Sequence, residues 1–260
     1  MTNIRPQVAA GSFYPEDEKE LKSQIENYLK SVKKIDFKGS IKAVISPHAG
    51  YIYSGPVAAY SYKTIIKKNF REVIIIGLSH QMMFQGIALS NFSFWKTPLG
   101  NVPSSSLYKK LEDENSFKLL NEAHVFEHSI EVELPFLQTV IGSFLITPML
   151  TGRINNHKEI AEIISRYINE KTLIVVSSDL SHYLPYEEAN KIDKETIEKI
   201  LNFDTDIEHE RACGADGIII LLELARLLNW KVKLLDYRNS GDTCGDKSQV
   251  VGYASIVFTK

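Results

Sequence analysis

The chain has 260 residues, 44% hydrophobic and 24% charged, with a formal net charge of −2, an ordinary globular balance able to bury a sizeable core. No basic face stands out, since Lys33-Lys34 and Lys67-Lys68 are isolated pairs, and this argues against a nucleic-acid partner. Two cysteines cannot build a disulfide framework, no signal peptide precedes Met1-Thr2-Asn3-Ile4-Arg5, and the apolar stretch from Ile218 to Leu228 is broken by Glu223 and Arg226, so the expectation is a cytoplasmic protein with no membrane span.

Short β-branched runs alternate with segments of helical period, the pattern of a mainly parallel or mixed sheet with helices on both faces. Glu16 to Val32 spaces Leu21, Ile25, Tyr28 and Leu29 as a helix; Ile41 to Ile45 reads as a strand and Val57 to Ile66 as the helix after it. Val73 to Ile76 is a strand buried on both sides, Gly86 to Leu89 a shorter one, and Ser104 to Asp113 a helix. Ile130 to Ile141 reads as a helix in which Pro135 predicts a kink or boundary. Phe144 to Met149 is strand-like, and Asn156 to Tyr167 a helix with Asn156 as N-cap. Leu173 to Val176 is a further buried strand, followed by helices over Tyr186 to Asn202 and Gly214 to Leu228 and by strands over Val232 to Tyr237 and Val250 to Phe258. No repeat or Pro/Gly-rich linker divides the chain, so residues 1–260 read as one α/β domain.

In open α/β sheets ligands gather beyond the carboxyl ends of the strands. Four predicted strands are followed by Ser46-Pro47-His48-Ala49-Gly50-Tyr51, by Gly77-Leu78-Ser79-His80, by Ser177-Ser178-Asp179-Leu180-Ser181-His182, and by Asn239-Ser240-Gly241-Asp242-Thr243-Cys244-Gly245-Asp246. If those strands are parallel neighbours, His48, His80, His182 and Cys244 converge. A lone loop histidine is usually a surface group, and His157 and His209 fit that; three after separate strands point to a metal. Glu127-His128-Ser129-Ile130-Glu131 is placed at a helix start, where first-turn N–H groups favour an anion, so Glu127 and His128 are substrate-binding candidates. Tyr51 and Tyr53 join them as pocket walls, although aromatic core is the commoner use of such positions. Cys213 reads as a small buried residue near a helix start.

Neutral imidazole is a frequent metal ligand near pH 7. Two histidines with a carboxylate suit non-haem iron, and two with a thiolate suit zinc or copper. Asp179 and His182, at i and i+3, form an acid/base pair of catalytic candidates. No Gly-x-Ser-x-Gly elbow, Walker loop or dinucleotide fingerprint is present.

Several blocks in order resemble the Memo-like family: Val8-Ala9-Ala10-Gly11-Ser12-Phe13-Tyr14-Pro15, Ser46 to Tyr51 with Ser54-Gly55, Gly77 to His80, and Glu127 to Val132. The match continues through Leu134-Pro135-Phe136, Ser177 to His182, Cys213-Gly214 and Val251-Gly252-Tyr253-Ala254. The resemblance implies a fold similar to class III extradiol dioxygenases, with metal positions on His48, His80 and Cys244 and with Asp179 and His182 lining the pocket. It implies a divalent metal, iron first and copper or zinc next, and redox chemistry on an unnamed small molecule. Those dioxygenases use a carboxylate as third iron ligand, whereas here Cys244 stands between Asp242 and Asp246, so the third ligand is Cys244 or a neighbouring Asp. Relatives are associated with radical-SAM and AMMECR-like proteins, and animal members with phosphotyrosine peptides. A non-catalytic module for a peptide or small anion, and a zinc-dependent hydrolase, are the alternative expectations.

Overall fold

The apolar runs Val73–Ile76 and Leu173–Val176 become neighbouring parallel strands in the computed structural model, which describes residues 3–33 and 35–260. Lys34, half of one lysine pair, and Met1-Thr2 lie outside the described residues.

In chain order the elements are β1 (Ile4–Arg5), α1 (Glu18–Ser31), β2 (Ile41–Ser46), α2 (Tyr51–Thr64), β3 (Glu72–Leu78), β4 (Ile87–Leu89), β5 (Phe94–Thr97), β6 (Gly100–Pro103) and α3 (Tyr108–Leu111). They continue as β7 (Phe117–Leu119), α4 (Asn121–Val125), a 3-10 turn over Glu131–Glu133, α5 (Leu134–Ile141), β8 (Leu145–Thr151) and α6 (His157–Ser165). The last are β9 (Thr172–Ser177), β10 (His182–Leu184), α7 (Tyr186–Leu201), α8 (Ala215–Leu227), β11 (Lys231–Asn239), α9 (Ser240–Cys244) and β12 (Val250–Thr259).

Among the described residues the main sheet has nine strands in the order β10-β12-β2-β9-β3-β8-β4-β7, with β11 also paired to β12; β1, β5 and β6 form a small separate sheet. The centre, β2-β9-β3-β8, is parallel. Strand β12 is antiparallel to β2, and β11 is antiparallel to β12, so β11 again points the same way as β2. The carboxyl ends of β2, β3, β9 and β11 therefore share one edge of the sheet.

Strand side chains alternate between two cores, as the period of two requires. Val44, Val73, Ile75, Leu173 and Val175 pack with α1, α2 and α5 on one face. Ala43, Ile45, Ile74, Ile76, Ile174 and Val176 pack with α6, α7 and α8 on the other. Both faces are dry, which explains why these strands read as continuous apolar runs.

One local expectation is corrected and two hold in position but differ in detail, Pro135 at a helix boundary and Asn156 as the N-cap of α6. The helix placed over Ser104 to Asp113 shrinks to Tyr108–Leu111, because Ser104 N–H is bonded to Ser93 O and Ser105 N–H to Ile146 O, holding that backbone extended. The helix over Ile130 to Ile141 starts as a 3-10 turn, and Pro135 marks the boundary by occupying the first turn of α5, where no N–H partner is needed. Asn156 precedes α6, but its side chain makes no cap bond; its amide donates instead to Ser116 Oγ and Glu159 Oε2.

Candidate metal centre

His48 lies two residues beyond β2, buried against the end of β9. Its N–H donates to Asp179 Oδ1 at 2.8 Å, and its Nδ1 lies 2.8 Å from Ser177 Oγ. His80 lies two residues beyond β3 and is gripped by Glu127, which accepts from its backbone N–H at 2.6 Å and meets its Nδ1 at 2.9 Å. Ser129 N–H also donates to Glu127, at 2.8 Å. Glycine at position 77 permits a close approach here, because a Cβ would stand 2.5 Å from Ser129 Oγ and force one of them to shift. That close approach brings the Glu127–Ser129 turn, and with it His128, against the end of β3.

Among the described residues one cluster could hold a metal ion: a nitrogen from each of His48, His80 and His128, all within 4.8 Å of one another. The His80 and His128 rings stack with centroids 4.5 Å apart, and His48 meets both edge-on at 5.4 and 5.5 Å. Burial, reinforced by the neighbouring imidazoles, pushes His48 down to about 3 and His128 down to about 4. Both are therefore neutral at pH 7 with lone pairs available, so the donor set fits a metal of intermediate softness. Burial alone would raise Glu127, but the His80 hydrogen bond and charge, with Ser129 N–H and His128, bring it down to about 2.

The thiol that touches this cluster is Cys213, with Sγ 3.5 Å from His48 Nε2. Asp179 N–H also points at that sulfur, at 3.3 Å. Burial, then the Asp179 charge, pushes the thiol pKa up. Gly214 lets the segment pack there, since a Cβ would meet Ser178 Cβ at 2.7 Å. Cys244 lies elsewhere. It is exposed at the cavity rim, Sγ 3.7 Å from Ile52 O, outside the three-histidine cluster. Its predicted loop is the short helix α9, and Asp242 is committed to a capping box with Asn239 and to Tyr186 OH at 2.6 Å, so a loop shift does not present it as a ligand.

A cavity of about 820 Å³ opens over the histidines, walled by Phe13, Tyr53, Tyr183 and Tyr253 and reached by Asp179, His182 and Cys244. A second cavity, of about 660 Å³, shares His80 and His182 and has Cys213 and Arg211 on its wall. His182 thus borders both cavities without joining the cluster. Asp179 is buried, which raises its carboxyl, while His182 and the His48 and Ala49 N–H groups act to lower it.

Two substrate-binding expectations change. Of the two tyrosines expected as pocket walls, Tyr53 lines the cavity, whereas Tyr51 is buried core, its hydroxyl donating to Val132 O at 2.7 Å. Glu127 is not open to a ligand; it is itself the anion that the local N–H groups and His80 hold, four residues ahead of the 3-10 turn that leads into α5. Cys213, Ser177 and Glu133 are the site residues that sequence reasoning passed over. The available signals were Cys213-Gly214 ahead of a helix and an acidic residue, Glu133, inside an apolar run.

The sequence pattern of the family described as Memo-like protein matches residues 5–257. The chain belongs to that family. Memo-like relatives described as MEMO1 family proteins include one from Desulfurococcus amylolyticus, 37% identical with 98% of each chain covered. Others come from Thermoplasma volcanium, 35% identical over 98% of each chain, and from Nitrosopumilus maritimus, 36% identical over 98% of this chain and 99% of that one. Among solved structures, an uncharacterized protein from Escherichia coli K12 shares the fold of this Memo-like chain, with a TM-score of 0.54 and 13% identity, over 83% of this chain and 99% of that chain. Among the described residues no helix is long and apolar enough to cross a membrane.

Proposed function

We propose that the chain is a metal-dependent oxidoreductase acting on a small molecule in the larger cavity, with His48, His80 and His128 holding the ion and Cys213 as a fourth donor. The observation that carries this reading is the convergence of three imidazole nitrogens within 4.8 Å at the floor of an open cavity. Iron is the first choice and copper the next, since a mixed imidazole and thiolate set suits a redox-active ion. Such an ion would supply electron transfer and an open coordination position for the bound molecule.

The chain's own groups do the rest. Glu127 fixes the His80 ring through Nδ1 and leaves Nε2 to the centre. Asp179 fixes the His48 backbone and lines the cavity, and His182, on the same wall, takes or returns a proton of the substrate. Phe13, Tyr53, Tyr183 and Tyr253 exclude water and favour a flat or apolar substrate body.

A binding module without turnover is the second reading, favoured by the exposed Ile52, Tyr53, Phe126 and Tyr183. Metal analysis of anaerobically purified protein separates the two. About one iron or copper per chain is expected, lost in His48→Ala, His80→Ala and His128→Ala alike, as removal of one ligand of a three-histidine site should do. Cys213→Ser should weaken retention and Cys244→Ser should not. A metal-free protein with undisturbed activity overturns the reading.

A further inference from the structure

We propose that Glu133 is a positioning residue for this centre: acting through Ser177, it holds His48 as the Nδ1–H tautomer and leaves Nε2 bare toward the ligand cluster. This rests on the reading of the histidines as a metal centre, but its first test needs no metal.

In this dry space each hydrogen must have an acceptor. Glu133, Ser177 and His48 are at most 2% exposed. Ser177 Oγ lies 2.6 Å from Ser129 O, 2.8 Å from His48 Nδ1 and 2.9 Å from Glu133 Oε1. The hydroxyl has one hydrogen and two lone pairs. Ser129 O is a carbonyl, which only accepts, and it is the nearest of the three, so the Ser177 hydrogen goes there. The other two neighbours must then donate to Oγ. For His48 that places the ring proton on Nδ1; for Glu133 it places a carboxyl proton on Oε1. The other carboxyl oxygen, Oε2, accepts from Tyr62 OH. Burial pushes the Glu133 carboxyl up to about 8, even against the hydroxyl of Tyr62 that donates to it, so the protonated form is the one present at pH 7.

Were Glu133 an ionised acceptor, Ser177 would be drawn away from Ser129 O and a buried carbonyl would lose its partner. With the neutral acid every group in the chain from Tyr62 to His48 is matched. His48 Nε2 is then the free lone pair, and it is the nitrogen that faces Cys213 Sγ at 3.5 Å. The nearer partner of a liganding histidine commonly sets its tautomer and ring orientation. Here the control reaches one residue further, to an acid on the 3-10 turn before α5.

The test uses the full-length, metal-free protein labelled with ¹⁵N, reading the His48 ring nitrogens by long-range proton–nitrogen correlation. Wild type should show the proton on Nδ1. Glu133→Gln keeps a neutral donor and acceptor and should keep that tautomer, whereas Glu133→Met and Ser177→Ala should give a mixture. In parallel, affinity for Zn²⁺ alone, measured against a chelator, should fall roughly tenfold to a hundredfold in Glu133→Met and Ser177→Ala. It should stay near wild type in Glu133→Gln, a rescue that simple core filling by methionine would not require. A wild-type proton on Nε2, or a Glu133→Met protein with unchanged tautomer and affinity, overturns the proposal. So does Glu133→Gln failing as badly as Glu133→Met. Should Glu133→Met not fold, Ser177→Ala, which removes one oxygen, carries the test, and an unchanged tautomer there is equally fatal. A wild type that binds no Zn²⁺ defeats the metal reading instead, and the tautomer comparison still decides the role of Glu133.

Discussion

At the scale of single residues, two buried glutamates flanking the Ser129–Ile130 turn, Glu127 and Glu133, carry opposite consequences for pH. Glu133 has a folded value of about 8, against 4.5 for the free side chain, so ionising it costs the folded state. Its penalty is absent below about 4.5 and grows as pH rises toward 8, by at most about 1.4 kcal/mol per pH unit. Glu133→Gln removes that titration, so its melting temperature relative to wild type should climb between pH 5 and pH 8, as followed by circular dichroism; a constant difference across that window would contradict the neutral acid. Glu127 runs the other way. Its folded value of about 2 lies below 4.5, so its contribution is complete above 4.5 and is lost as pH falls toward 2.

At the scale of elements, the site depends on how closely a turn approaches a strand end. Gly77 in β3 admits the Ser129 turn because it has no Cβ, and an added methyl would sit 2.5 Å from Ser129 Oγ, with Ile130 Cγ1 at 3.1 Å. Gly77→Ala should therefore push the turn outward, destabilise the fold by roughly 1–3 kcal/mol as overpacked cores do, and lower metal retention by displacing His128. Thermal unfolding and metal content read the two effects separately, and unchanged values for both would show that the turn relaxes freely. The same geometry explains what was legible in the sequence. Strands β2, β3, β8 and β9 are apolar on both faces and stand out at once, and the histidines that follow two of them point to the site. His128 and Cys213 do not follow strands. They arrive through a turn and a long loop, and no short-range pattern says where a loop will fold back. Strands β5 and β6 were invisible for a related reason: the hairpin is short, and Lys96 and Asn101 interrupt its apolar pattern. Asn239 and Asp242 form a local capping pair, yet in a glycine-flanked stretch they read as a loop until the structure shows them closing α9.

At the scale of the whole molecule, the candidate ligands His48 and His80, just beyond β2 and β3, His128 in the turn at 127–129 and Cys213 in the 204–214 loop meet only in the folded state. An ion that binds the folded chain alone adds stability by mass action, about 2.7 kcal/mol at a hundredfold excess over Kd. For a domain of this size that corresponds to a rise of roughly 5–10 °C in melting temperature. Wild type should show this on addition of Zn²⁺ and His80→Ala should not, measured by scanning calorimetry on metal-free protein; an equal rise in both would mean that the ion binds elsewhere.

His48 and Cys213 stand 165 positions apart along the chain, yet their side chains touch. Small zinc modules draw their ligands from one short stretch, so a fragment can capture the ion and fold around it. Here no peptide cut from the chain contains both partners unless it spans most of the sheet. A nick in the 204–214 loop would leave the strands paired while cutting the tether that fixes Cys213 against His48. Retained metal would thus serve as a gauge of chain integrity, sensitive to damage that secondary-structure content would not register.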